Sequence, residues 1–187
     1  MNICVYCASS EQIDKRYISA GESFGEKLAE QGHTLVFGAG KFGVMGAAAR
    51  GCKRADGNII GVIPRFFDNY DVMFSDCKII KTDTMRERKK IMENTADAFV
   101  MMPGGIGTFE EFFEILTLKQ LERHRKPIVV YNVNGYYDGL LSFLETTVNE
   151  GFMSEKCFKL FYVCDKEKEV FDYLDNYTPF TYDKYER

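Results

Sequence analysis

The sequence predicts an α/β fold, a doubly wound parallel sheet with helices on both faces. Three observations carry this. Short apolar runs alternate with helical patterns along the chain, the order that builds parallel βαβ units. Two glycine-rich turns follow directly on apolar runs, after Phe37 and after Met102. The 187 residues, 45% of them hydrophobic, suffice to bury one core.

Taken in order, residues 3–7 read as the first strand. Residues 17–31 carry helical periodicity through Ile18, Phe24 and Leu28 and stop at Gly32, a common helix end. Residues 34–37 form a second strand, and a glycine-rich turn leads into an alanine-rich helix over 44–54. A third strand covers 58–63 and ends at Pro64. Residues 66–77 are irregular and aromatic and read as an inserted loop. A short strand over 78–81 precedes a basic helix over 84–94, an apolar strand over 98–102 and a long helix over 108–124. A strand at 128–131, a helix at 136–149, a strand at 160–164 and a helix at 166–174 complete the pattern. No linker, repeat or low-complexity tract interrupts it, so residues 1–177 are expected to form a single Rossmann-like domain. Residues 178–187 are aromatic and charged and read as a loose tail or a docking arm.

Composition narrows the function. The net charge of −4 argues against non-specific binding to nucleic acid or to an anionic membrane, both of which need clustered Lys and Arg. No apolar stretch approaches the roughly 20 residues of a membrane helix, and the first residues lack the basic and apolar segments of a secretion signal. Six scattered cysteines suit a reducing compartment, so a cytoplasmic protein is expected. Cys4 and Cys7 form a C-x-x-C, but residues i and i+3 of a strand face opposite sides. No second Cys/His pair lies nearby to complete a zinc site. They read as packed thiols, and no metal is expected.

In open α/β sheets ligands sit beyond the carboxyl ends of the strands, at the switch point. That directs attention to the turns after Cys7, Phe37 and Met102. The turn Gly38-Ala39-Gly40-Lys41-Phe42-Gly43 formally matches G-x-G-x-x-G. It follows the second strand rather than the first, and Ile63-Pro64-Arg65 stands where an acidic ribose ligand is expected. Three readings remain: amides lining a nucleotide pocket, close helix–strand packing without a ligand, and dinucleotide binding.

The turn Pro103-Gly104-Gly105-Ile106-Gly107-Thr108 is the stronger signal. Glycines let the backbone approach an anion, and the free N–H groups and dipole of a new helix favour negative charge there. No G-K-[ST] follows, so this is not a triphosphate loop. Glu110, Glu111 and Glu114 come next. Thr108-Phe109-Glu110-Glu111 is also a T-x-x-E capping box, which stabilises a helix start with no function. The basic run Arg86, Arg88, Lys89, Lys90 is either a solvated face or the source of a pocket cation.

At this point the residues resemble a known family. Pro103 through Glu111 looks like the P-G-G-x-G-T-x-x-E signature of the LOG (LONELY GUY) phosphoribohydrolases, and Met85-Arg86-Glu87-Arg88-Lys89 resembles their M-x-x-R-K segment. The residues Cys4 to Ser10 and Phe37 to Gly46 are similar to the family's first two loops. Such proteins once carried the label lysine decarboxylase, yet the sequence shows no recognisable pyridoxal-phosphate lysine site. The resemblance implies hydrolysis of a cytokinin riboside 5′-monophosphate, or of AMP, to free base and ribose 5-phosphate, with no cofactor. It implies Arg88 and Glu111 as the catalytic pair. Lys89, Gly104, Gly105, Ile106, Gly107, Thr108, Glu110 and Thr117 match substrate-binding positions. It also implies a homodimer, for which the apolar helix over 112–121 is a plausible interface that core packing explains equally well. The departures are Arg86 where the family often has His, Ala39 for a usual Gly, Phe42 and Val44 at a helix entry, and a longer 66–77 loop.

The expected chemistry follows. The 5′-phosphate rests on the amides of Gly105 to Thr108. Glu111 stabilises the positive charge that develops on the ribose, or orients the water. Arg88 pairs with Glu111 and keeps it ionised. Two rival classes are a nucleotide-binding sensor or carrier without turnover and a nicotinamide oxidoreductase.

Overall fold

A computed structural model describes residues 1–68, 70–179 and 181–182. Seven strands form one parallel sheet: β1 (Asn2–Tyr6), β2 (Thr34–Phe37), β3 (Asn58–Pro64), β4 (Lys78–Thr82), β5 (Ala98–Met101), β6 (Ile128–Tyr131) and β7 (Tyr162–Cys164). Their order is β4-β3-β2-β1-β5-β6-β7. The chain therefore starts at the centre and winds out through α1 (Lys15–Glu30) and α2 (Gly43–Arg54) to β4. It then returns through α3 (Met85–Thr95) to lay β5 beside β1, and winds the other way through α4 (Ile106–Gln120) and α5 (Asp138–Asn149). α6 (Glu167–Asp175) closes the chain. The predicted doubly wound sheet is what the structure shows.

Two cores result. Ile3, Val5 and Cys7 point into the core that includes Phe24 of α1, Val44 of α2 and Phe171 of α6. Cys4 and Tyr6 point into the one built with Met92, Phe112 and Leu144 of α3, α4 and α5. Cys4 and Cys7 thus lie on opposite faces of the sheet, as expected of a strand, and burial pushes both thiols well up.

α1 and α2 approach closely through small residues. A Cβ on Gly25 would stand 1.9 Å from the Ala48 carbonyl oxygen, and one on Gly51 would stand 1.9 Å from that of Glu22. The alanine-rich composition of α2 therefore serves backbone contact rather than side-chain filling.

Four expectations shift. α4 begins at Ile106, two residues before Thr108, with Gly105 as an N-cap that makes no side-chain bond, and it ends at Gln120 rather than 124. α5 begins at Asp138, after a 3-10 turn (Val133–Gly135) in which Asn134 takes φ 55. The region read as an irregular loop opens with a 3-10 turn (Arg65–Phe67) and folds back on the sheet: Phe67, Met73, Phe74 and Cys77 pack against the first core. In the segment read as a tail, Tyr182 is buried against Gln120 and Cys157, while residues 180 and 183–187 lie outside those described. No helix among the described residues is long and apolar enough to cross a membrane.

Candidate active site

β1 and β5 are neighbours whose chains leave the sheet in opposite directions, so a crevice opens beyond their carboxyl ends. The turns after both strands meet there. The Ala8 N–H donates to the Pro103 carbonyl at 3.0 Å, and the Met45 N–H donates to the Ala8 carbonyl at 3.0 Å. All three flagged turns are thereby tied into one wall.

The first N–H groups of a helix have no intrahelical partner, and Gly105 offers α4 no side-chain cap. Those amides face a cavity of about 320 Å³ lined by Ser9, Gly105, Gly107, Thr108 and Glu111, among others. A Cβ at Gly105 or Gly107 would meet no atom within 4 Å, and neither glycine has a positive φ. The protein's own packing therefore gives no reason for glycine at these two positions. Gly104 differs: a Cβ there would stand 2.1 Å from the Thr108 hydroxyl oxygen.

The capping-box reading of Glu111 is corrected. Thr108 sits inside α4 instead of capping it, so the Glu111 carboxylate is free to look elsewhere. It accepts a hydrogen bond from Arg88 Nη1 at 2.9 Å, across 23 residues of sequence. Arg88 Nε donates to the Val62 carbonyl at 3.1 Å. Both residues are 7% exposed. Gly38 leaves the room for this: a Cβ there would stand 2.0 Å from Arg88 Nη2. Burial raises the Glu111 pKa above its ordinary value, while Arg88 pulls against that rise without cancelling it. The expectation that Arg88 simply keeps the carboxylate ionised is thus qualified: desolvation is the larger influence.

Arg88 also lines a second cavity of about 240 Å³, bounded by Gly38, Gly40, Phe42, Ile63, Phe67 and Val72, among others. Ser9, Met45, Met85 and Arg88 are common to both cavities, so the two form one bent cleft. Phe67 and Val72, from the irregular segment after β3, close its far wall. The Lys41 N–H donates to the Val72 carbonyl and the Phe74 N–H to the Ala39 carbonyl, both at 2.8 Å. Ala39 takes φ 58 to make this turn. The packing reading of the first glycine-rich turn holds for Gly43 and Gly46, where added Cβ atoms would strike the Ala8 and Lys41 carbonyls at 2.6 and 1.9 Å. The pocket-lining reading holds for Gly38 and Gly40.

Of the expected site residues, Arg88, Gly105, Gly107, Thr108, Glu110 and Glu111 line the cleft. Gly104 lies behind it, and Ile106 is 86% exposed. Lys89 is turned aside: its ammonium pairs with Glu110 and, at 2.6 Å, with Glu114. Burial works against its charge, but the two carboxylates outweigh it and raise its pKa. Thr117 is exposed on α4 and does not line the cleft. Sequence reading missed Met45 and Met85, which sit in the first turns of α2 and α3 where an apolar residue reads as core, and Phe67 and Val72, whose irregular segment carries no periodic signal. Among the described residues, no group of His, Cys, Asp and Glu gathers to hold a metal ion.

Comparison with known proteins gives the family. A family model described as "Possible lysine decarboxylase" matches residues 45–174. The cytokinin riboside 5′-monophosphate phosphoribohydrolase LOG of Oryza sativa subsp. japonica is 36% identical over 178 residues, 95% of this chain and 74% of that protein. The chain belongs to the LOG phosphoribohydrolase family. Another LOG relative, LOG7 of Arabidopsis thaliana, is 36% identical over 95% of this chain and 82% of its own length. Among solved structures, a molybdenum cofactor binding protein from Rippkaea orientalis superposes with a TM-score of 0.71 at 22% identity, over 93% of this chain and 94% of that one. The Moco carrier protein from Chlamydomonas reinhardtii gives 0.69 at 22% identity, over 93% and 94%. At that identity the likeness of these two structures to this chain is one of fold alone. The decarboxylase label does not fit the site, since a pyridoxal-phosphate enzyme needs a lysine in its pocket and no lysine lines either cavity.

Proposed function

We propose that the chain hydrolyses the N-glycosidic bond of a nucleoside 5′-monophosphate, releasing the free base and ribose 5-phosphate. The observation that carries this is the buried Arg88–Glu111 pair at the bend between an amide-lined cavity and an apolar one. A nucleotide has the same three parts in the same order. Its phosphate meets the amides of Gly105 to Thr108, its sugar lies over the ion pair, and its base enters the apolar arm.

In this reading the C1′–N bond breaks with its electron pair on the base, and positive charge builds on the ribose. Glu111 faces that charge in a site sheltered from water, where a carboxylate is worth far more than in solvent. A water molecule adds its oxygen to C1′. Its released proton balances the charge on the departing base. Arg88 is a positioning residue for Glu111 and also contacts the sugar or phosphate. Lys89 orders Glu110 and Glu114 beside the entrance. The relatives are named for cytokinin riboside 5′-monophosphates, and we extend that substrate class, with AMP, to this chain.

The protein is a homodimer in the same reading. α4 and α5 cover one face of the sheet yet leave Phe113 and Phe143 36% and 63% exposed. Phe112, Ile115 and Leu116, the heart of the expected interface, are instead buried in the chain's own core. Light scattering is expected to return twice the chain mass.

The enzymatic test is direct. Purified protein is incubated with a panel of nucleoside monophosphates and free base is measured by chromatography. Base release from AMP or a cytokinin monophosphate, abolished in a folded Glu111→Ala variant, supports the assignment. Ligand-induced stabilisation with no base released would make the protein a carrier.

A further inference from the structure

The loop that presents the phosphate-facing amides is held from behind by groups that the mechanism above does not use. Tyr136 Oη donates to the Gly104 carbonyl at 2.8 Å, and Tyr137 Oη donates to the Met102 carbonyl at 2.7 Å. Between them the Ala8 N–H takes the Pro103 carbonyl. Three consecutive carbonyls at the end of β5 are therefore each tethered by a donor from another segment.

The consequence follows from peptide geometry. A trans peptide points its C=O and its N–H in opposite directions, and no cis peptide occurs among the described residues. Holding the Gly104 carbonyl on Tyr136 aims the Gly105 N–H the other way, whereas the Pro103 carbonyl is held on Ala8 and the Gly104 N–H turns to the Tyr137 hydroxyl rather than to the cleft. The peptide after Met102 has no N–H, because Pro103 follows it, so Tyr137 fixes where the loop departs rather than where an amide points. Gly104 and Gly105 have no side chains to restrain them, and glycine rotates its peptides with little steric cost. A loop of this kind could turn a carbonyl toward an anion unless something outside holds it.

The tyrosines are themselves fixed. The Tyr136 ring stands edge-on to Tyr137 at 4.9 Å and to Tyr17 at 5.5 Å. The Tyr137 N–H donates to Asn132 Oδ1 at 2.6 Å, and Asn132 Nδ2 donates to Asp138 Oδ1 at 2.7 Å. Tyr137 is buried, whereas Tyr136 is 41% exposed. Neither lines the cleft.

We propose that Tyr136 and Tyr137 are positioning residues for the phosphate site, holding the carbonyls of residues 102–104 away from the cleft so that the loop amides stay preorganised for the 5′-phosphate. The inference rests on the phosphoribohydrolase reading for the identity of the anion, but its own content is affinity for a phosphate group.

The test is Tyr136→Phe, which keeps the ring and removes the hydroxyl. Ribose 5-phosphate and adenosine are titrated into wild type and variant by calorimetry, and AMP hydrolysis is followed in parallel. Loss of one tether is expected to weaken ribose 5-phosphate binding and raise KM for AMP by about five- to tenfold. kcat changes far less, and affinity for adenosine, which has no phosphate, is retained. Tyr137→Phe is expected to act in the same direction. Unchanged ribose 5-phosphate affinity in both variants overturns the proposal, as does an equal loss for adenosine, which marks a general structural role. A wild type that binds ribose 5-phosphate but releases no base sinks only the preceding reading. A wild type that binds no ribose 5-phosphate overturns both.

Discussion

Glu111 sits where two forces on one proton nearly oppose each other. Burial lifts its pKa above the ordinary 4.5, and Arg88 holds the rise in check. The sign of the stability effect follows from linkage. A carboxyl whose folded pKa is raised contributes stability below its ordinary pKa, and that contribution is lost as pH rises through the folded value. Glu111→Gln should therefore flatten the fall in stability above pH 4.5, read by denaturant titration across pH. Turnover needs the ionised form, so the acid limb of kcat/KM should lie above that of an ordinary glutamate. An acid limb at or below 4.5 would contradict the assignment. Removing the cation is harsher than neutralising the acid. Arg88→Ala leaves a buried carboxylate without its partner and is expected to cost about 3–5 kcal/mol, with part of that restored by adding Glu111→Gln. In the sequence the pair follows only from the family resemblance, and no local pattern shows it. The segment around Glu111 reads as a capping box until Thr108 proves to be inside the helix and Arg88 arrives from α3.

At the scale of elements, the start of α4 is the proposed anion site, and its composition works against its own stability. Glycine inside a helix costs roughly 1 kcal/mol relative to alanine. At Gly107 no neighbouring atom would obstruct a methyl group. Gly107→Ala should therefore leave thermal stability equal or higher while weakening ribose 5-phosphate binding, measured by differential scanning fluorimetry and calorimetry on one preparation. A variant that gains stability and keeps full affinity would show that no ligand approaches this turn. The turn was legible in the sequence because a strand ending in glycines before a helix has one strong physical use. The helix boundary was less so. Gly105 caps α4 without a side chain, and a cap with no side chain leaves little local signature.

The whole molecule supplies the second arm of the cleft. Residues 71–76 are strapped over the first glycine-rich turn and α2 by two backbone hydrogen bonds and by the pairs Lys41–Asp71 at 2.6 Å and Lys53–Asp76 at 3.2 Å. Exposed pairs of this kind are each worth little, so the strap depends on the packing of Phe67, Met73 and Phe74 beneath it. Val72→Asp would place a charge in the apolar arm. It should raise KM for AMP by at least about tenfold and leave ribose 5-phosphate affinity unchanged. Equal losses for both ligands would mean that the arm does not hold the base.

The sequence by itself determined the element order, the parallel sheet and the glycine-rich turn at the start of α4. Each depends on residues close together along the chain: apolar runs with their periodicity, and glycines at a helix start. Beyond the Arg88–Glu111 pair that the resemblance implied, only the tertiary structure decided which of the charged residues meet. Lys89 and Arg88 are adjacent in α3, yet one pairs with Glu110 and Glu114 near the surface and the other is buried against Glu111. Helical geometry turns neighbouring side chains to different directions, and the return of the chain to lay β5 beside β1 brings α3 against α4. The space beside Gly38, the strap over the first glycine-rich turn and the tyrosine tethers behind the loop are decided at the same level. They join segments far apart in sequence, and no local pattern records which distant segment will arrive.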